Sequence, residues 1–156
     1  MSDTQLPVDM LPPTEVATKA AAMGVRKAHM SITTTLVQSM MAGGFVSSGA
    51  LFATIAVAGA SGMIPYGITR LLFGLVFCLG LILVVLAGAE LFTGNVLIVI
   101  AWASRKVNTA ALLRNWTLVY IGNLIGSLIT AVIVYVGREY RFGSGIIGQT
   151  ALTIAN

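Results

Sequence analysis

One stretch of this sequence places polar and charged groups inside a long apolar run. Gly88-Ala-Glu-Leu-Phe-Thr-Gly-Asn95 contains a carboxylate, a hydroxyl, an amide and two glycines, and Glu90 is the only carboxylate in the apolar blocks. An ionised carboxylate in apolar surroundings is costly unless it is protonated, paired or close to water. Two interpretations of Glu90 stay open: a group that exchanges protons or ions, or a carboxylate that accepts hydrogen bonds from the N–H groups of its own loop.

Composition indicates that the medium around this stretch is lipid. Of the 156 residues, 57% are hydrophobic and only 9% are charged, whereas soluble domains carry about 25% charged residues. The apolar residues form three blocks, at about 32–60, 66–103 and 112–136, and a membrane-crossing helix needs about 20 such residues. We therefore predict an all-α integral membrane protein, with three transmembrane helices over 32–137.

The distribution of charge excludes some classes of function and predicts an orientation. The net charge is +4, but the basic residues lie between or before the apolar blocks and form no run interleaved with aromatic residues, so nucleic-acid binding is not expected. No catalytic or metal-binding constellation is visible, so we expect no enzyme activity, metal or cofactor. The basic residues predicted to be cytoplasmic, at the N-terminal side, are Lys19, Arg26, Lys27, Arg105, Lys106 and Arg114; those predicted to be external are Arg70, Arg138 and Arg141.

This bias predicts a cell (inner) membrane protein with a cytoplasmic N-terminus. Residues 1–31 are then a cytoplasmic leader, and Val16, Ala20 and Met23 recur in it at the spacing of an amphipathic helix at the membrane surface. Residues 138–156 form an external tail.

The second block, 66–103, is too long for one straight span. In one account it consists of two spans joined by a tight turn at 88–95, but the stretch Val96 to Ala103 reaches only roughly 12 Å as a helix. In the other account, which we favour, it is one crossing made of two half-helices joined by an irregular loop. Such a loop survives in lipid only where protein or a polar cavity shelters its peptide groups.

The loop residues suit this second account. Gly88 and Gly94 permit unusual backbone angles, and Thr93 and Asn95 can satisfy part of the hydrogen-bonding demand. A half-helix that starts near Asn95 would direct its N–H groups into the cavity, which favours an anion. Glu90 itself would repel an anion if it lay directly in the path.

Bulky apolar residues beside the break are candidates for a pore constriction. Phe77 and Leu81 lie four residues apart on one helix face, and Leu91 and Phe92 lie in the loop. Apolar constrictions can gate pores, but ordinary packing is the alternative interpretation of all four residues.

Residues 65–128 resemble the formate/nitrite transporter family, and within it most closely the formate channels. The resemblance rests on Pro65-Tyr-Gly-Ile-Thr-Arg70, on the loop at 88–95, and on Asn115-Trp116 followed by Gly122-Asn-Leu-Ile-Gly126. Gly122 and Gly126, with Asn123 between them, also form a small-xxx-small pair that predicts close helix packing.

The resemblance implies a six-helix, aquaporin-like fold of two inverted three-helix repeats, assembled as a homopentamer with one pore per subunit. It also implies roles for individual residues. Leu81, Leu91 and Phe92 would form one constriction, Phe77 an outer one, and Thr93 would present its hydroxyl to the pore. The family's central pore histidine belongs to the second repeat and His29 does not match it, so the chain is expected to be an N-terminal half, truncated or a fragment.

The function expected from this resemblance is transmembrane transport of small monovalent anions, formate first and nitrite second, by a channel or with protons. The alternative from another class is a non-transporting half-transporter or assembly subunit that packs through its small-residue faces.

Overall fold

The computed structural model of the protein describes residues 12–156, and the first eleven residues of the predicted leader lie outside this part. All regular elements of the described chain are helical. They are α1 (Pro13–Ala28), α2 (Ile32–Val57), α3 (Tyr66–Ala87), α4 (Phe92–Asn95), α5 (Ile98–Ala103), α6 (Thr109–Val136) and α7 (Ile146–Ala155), with a 3₁₀ turn at Glu139–Arg141.

Three of these helices, α2, α3 and α6, are long and apolar enough to cross a membrane. The prediction of three membrane-capable helices is confirmed. Side-chain caps set where two of them begin: the Ser31 hydroxyl accepts the Thr34 N–H before α2, and the Asn108 amide oxygen accepts the Ala111 N–H before α6. Because of this cap, α6 begins at Thr109, about one turn before the predicted position.

The helix α2 contacts both α3 and α6, and glycines at both interfaces let the backbones approach. On the α3 side, Gly49 and Gly80 lie so close that a Cβ on either would crowd the partner backbone. On the α6 side, a Cβ at Gly126 would overlap the Met40 carbonyl, and one at Gly122 would overlap Ser39. Close backbone approach of this kind drives helix association in lipid, where no hydrophobic force acts between helices.

The contacts also show how the helices run. Gly49 of α2 lies against Gly80 of α3, and the Gln38 carbonyl accepts the Glu90 N–H at 3.2 Å, so α2 and α3 are antiparallel. The end of α3 therefore lies level with Gln38, roughly 9 Å along α2 from Ile32. The interruption after α3 therefore lies about halfway between the N-terminal end of α2 and its middle.

The first helix, α1, packs against α5 through small residues. Ala21, Gly24 and Ala28 are buried, and Gly24 lies against Ala101 of α5. Val16 and Met23 point away from the protein and are 51% and 46% exposed. This outward apolar pair is where α1 is predicted to contact the membrane surface.

Candidate functional site

The long apolar run is interrupted directly after α3. Gly88 caps α3 in the left-handed conformation, at φ +62°, which favours glycine. Residues 88–91 are irregular, and α4 begins at Phe92 rather than near Asn95. The Asn95 N–H already binds the Leu91 carbonyl at 3.0 Å. The expectation that a half-helix starting near Asn95 offers free N–H groups to an anion is therefore wrong.

Asn123 of α6 holds the interrupted backbone in place. Its amide oxygen accepts the Phe92 N–H at 2.9 Å, and its amide nitrogen donates to the carbonyls of Glu90 at 3.0 Å and Ser39 at 2.8 Å. With the Gln38 bond to the Glu90 N–H, these contacts satisfy polar groups that lipid cannot. Sequence reasoning placed Asn123 only in helix packing and missed this role.

Glu90 is the acceptor at the centre of a buried polar network. It is 5% exposed, and Lys27 of α1 binds both of its carboxylate oxygens, at 2.8 and 2.9 Å. Asn95, which is fully buried, donates to Glu90 at 2.7 Å and accepts from Lys27 at 2.9 Å. Each charge therefore has an opposite charge and a further hydrogen bond, which a buried pair needs.

The network extends from the loop to α6. The Asn95 amide also donates to Asn115 Oδ1 at 2.9 Å, and Asn115 Nδ2 donates to the Lys27 carbonyl at 3.0 Å. The Trp116 indole donates to the Asn95 carbonyl at 3.0 Å. Three separate elements, α1, the loop with α4, and α6, are thus joined at one point.

These contacts specify the partners of Glu90. Its carboxylate accepts from one N–H group of its own loop, the side-chain amide of Asn95, and from Lys27 of α1, which the loop interpretation did not include. The rule that a carboxylate in apolar surroundings must be protonated, paired or close to water made a nearby cation one of three possibilities. It did not identify Lys27, which lies 63 residues away in sequence.

The predicted constriction residues, on α3 and in the loop, differ in exposure. Phe77 is half-buried and stacks on Phe73, with ring centroids 6.3 Å apart, whereas Leu81 is 42% exposed. Leu91 packs against the cluster of Ala42, Val84 and Ala89.

The remaining loop residues also differ in exposure. Phe92 meets the Tyr120 ring edge-on at 5.9 Å and the Trp116 ring at 6.2 Å. Thr93 and Gly94 are exposed, and the Thr93 hydroxyl has no hydrogen-bond partner among residues 12–156. Leu81 and Thr93 therefore face away from the packed core.

We predict that Asn123→Ala lowers the free energy of unfolding by about 2 kcal/mol, because it leaves the Phe92 N–H and two carbonyls without partners. Thermal unfolding in detergent micelles measures the loss, and amide exchange should accelerate at Phe92. Thr130→Ala on the same helix is the control, since its hydroxyl binds only its own helix at Gly126 and such bonds add little. Equal losses in the two variants would refute the role assigned to Asn123.

Comparison with known proteins shows which family the chain belongs to. A family model described as formate/nitrite transporter matches residues 14–156. The chain belongs to the formate/nitrite transporter family. The resemblance inferred from the motifs is thereby confirmed, and the chain is a multi-pass membrane protein.

Similar relatives include formate channels. The chain is 39% identical over 150 residues to the formate channel FocA of Escherichia coli (strain K12), covering 96% of this chain and 52% of that protein. It is 32% identical to FocA of Haemophilus influenzae, covering 93% and 51%. A solved structure, a pentameric formate channel with formate bound, matches with a TM-score of 0.71 and 38% identity, covering 92% of this chain and 50% of that one. The chain thus spans about half the length of these relatives.

Proposed function

We propose that the protein containing this chain transports small monovalent anions across the cell (inner) membrane, formate first and nitrite second, as a homopentamer. Support comes from the formate channels among its relatives and from the similar solved structure, which is pentameric and holds formate. An apolar passage excludes ordinary ions by their dehydration cost. A weak-acid anion crosses it as, or nearly as, the neutral acid, so protons accompany the anion.

One observation carries this proposal: an irregular loop is held among apolar helices with its backbone satisfied and its charge paired. Asn123 binds the loop backbone, and Lys27 pairs with Glu90. The pairing matters because a bare carboxylate beside the path would repel an anion. The Thr93 side chain is exposed at the open side of the loop. Leu81, which is also exposed, lies about two turns before the end of α3.

The course of the chain supports a single crossing by the second block. It starts at the end of α2 with Tyr66, and α3 ends level with Gln38. The segment Phe92–Ala103 follows and ends with α5. α5 packs on α1, which precedes the start of α2. The block therefore leaves one end of the three-helix unit and arrives at the other. We propose that α3, α4 and α5 together form one broken crossing, in one repeat of an inverted-repeat, aquaporin-like fold whose N-terminus is cytoplasmic.

A non-transporting assembly subunit is the second candidate, and one observation favours it. Leu81 is 42% exposed and Thr93 is exposed, so these constriction residues lie on an open face of the described chain. Under the transport proposal, further protein surface closes this face into a pore.

Uptake of labelled formate by proteoliposomes containing the whole protein tests the proposal. We expect wild-type protein to admit formate and Leu81→Ala to change the uptake rate by about fivefold, which corresponds to roughly 1 kcal/mol in the barrier. Leu79→Ala is the matched control, because Leu79 lies on the same helix, is 41% exposed and points to another face.

The outcomes separate the two candidates. No uptake by a wild-type protein that forms a stable oligomer in native mass spectrometry would refute transport and support the assembly subunit. Uptake that responds equally to both leucine variants would keep transport but remove Leu81 from the constriction.

A further inference from the structure

A basic cleft lies where α5 ends and α6 begins, away from the interrupted loop. It has a volume of about 780 Å³, and its lining includes His29, Trp102, Arg105, Lys106 and Thr109. No carboxylate of residues 12–156 lines it. Two permanent cations, an imidazole and a hydroxyl are donors suited to a phosphate group.

The backbone at the mouth of this cleft places an arginine where glycine is usual. α5 ends in a Schellman motif: Arg105 N–H binds the Trp102 carbonyl and Lys106 N–H binds the Ala101 carbonyl, both at 2.9 Å. The residue at the left-handed position of this motif is normally glycine. Here it is Arg105, at φ +58°, so a strained arginine stands where glycine would be less costly. Arg138 and Ser144 share this conformation, so the position of Arg105 in the cleft, and not its backbone angle alone, points to a ligand.

Apolar groups flank the cleft on one side. The Trp102 indole donates to the Thr109 hydroxyl at 3.0 Å while its ring is 42% exposed. Leu113, one turn beyond Thr109 on α6, is 53% exposed. Tryptophan is enriched where bilayer meets water, so the cleft combines a charged opening with an apolar border.

The charges nearby are uncompensated. Among residues 12–156 the carboxylates are Glu15 on α1, Glu139 beyond the far end of α6, and Glu90, which Lys27 occupies. Arg26 and Arg114 lie at the same end of the bundle as the cleft. Basic residues at the membrane interface attract anionic lipid headgroups, and pockets between helices bind them.

We propose that this cleft binds the headgroup phosphate of an anionic phospholipid. Arg105 and Lys106 bind the phosphate oxygens, Thr109 and the first N–H groups of α6 add positive potential, and the acyl chains run along Trp102 and Leu113. The site is separate from the interrupted loop and does not depend on what the protein transports.

Native mass spectrometry of the whole protein, titrated with phosphatidylglycerol or with phosphatidylcholine of the same acyl chains, tests this site. We expect tighter binding of phosphatidylglycerol, and a loss of about 30-fold in the doubly substituted Arg105→Gly, Lys106→Gln variant, because each cation near the surface contributes about fivefold in affinity. Arg105→Gly should also fold at least as well as wild type in phosphatidylcholine, because glycine accepts the left-handed angle.

Arg138→Gly is the matched control. Arg138 also adopts the left-handed conformation, at φ +55°, but lies beyond the other end of α6. Its substitution relieves similar strain and removes one charge, so phosphatidylglycerol binding should not change. Equal binding of the two lipids, or an equal loss in Arg138→Gly, would overturn the proposal. Displacement of phosphatidylglycerol by millimolar inorganic phosphate would reassign the cleft to free phosphate and overturn the lipid assignment.

Discussion

Lys27→Met should lower the free energy of unfolding by about 3 kcal/mol, because it leaves the Glu90 carboxylate buried and unpaired. Lys27 makes three of the bonds that hold the network, two to Glu90 and one to Asn95. Its own side chain is 25% exposed while that of Glu90 is 7% exposed, so the unpaired carboxylate bears most of the cost. Thermal or denaturant unfolding in detergent micelles measures the change.

Two further variants test whether the loss of stability comes from breaking the ion pair or from removing any positive charge of α1. Arg26→Met removes the adjacent, exposed cation of α1 and should change stability by less than about 0.5 kcal/mol. The double variant Lys27→Met, Glu90→Gln should be more stable than Lys27→Met alone, because no charge is then left without a partner. If Lys27→Met costs no more than Arg26→Met, the ion pair is not what joins α1 to the loop.

The position of this pair explains why α1 belongs to the site although it is not membrane-capable by length. Lys27 lies in the last turn of α1 and reaches the loop from outside the three long helices. Asn115 binds the Lys27 carbonyl, so both the side chain and the backbone at the end of α1 are held. Any movement of α1 would therefore expose Glu90 or pull on the loop.

The long helices could be predicted from the sequence because lipid demands long apolar runs, and α2, α3 and α6 each supply one. The interruption was also predictable, since Glu90, Thr93 and Asn95 break such a run. The partner of Glu90 was not. Several cations precede the first apolar block, and only the crossing of α1 over α5, set by Gly24 against Ala101, brings Lys27 to the loop.

The role of Asn123 was hidden for a similar reason. Its spacing between Gly122 and Gly126 predicts a helix interface, and the structure places those glycines there. Which backbone groups its amide would meet depends on where α3 ends relative to α2 and α6. The level at which α3 ends is set by the packing of all three helices, so the sequence of one helix does not predict it.

Gly126→Ala should cost about 3 kcal/mol, because the added methyl group would overlap backbone rather than a movable side chain. The atoms in its way are the Met40 carbonyl and the Gly44 N–H. Overpacking usually costs about 1–3 kcal/mol, and here α2 and α6 can accommodate the methyl only by moving apart. Unfolding in detergent micelles measures the loss.

Gly74→Ala in α3 is the matched control for this prediction. No atom lies within 4 Å of a Cβ added at Gly74, and alanine is favoured over glycine in a helix by about 0.5–1 kcal/mol. The same substitution should therefore stabilise one helix and destabilise the other. Because Asn123 lies one turn before Gly126 on α6, separation of α2 and α6 should also weaken the Asn123 bonds to Ser39 and Glu90 and speed amide exchange at Phe92. A Gly126→Ala protein as stable as wild type, with unchanged exchange at Phe92, would show that close approach of these two helices does not hold the interrupted loop.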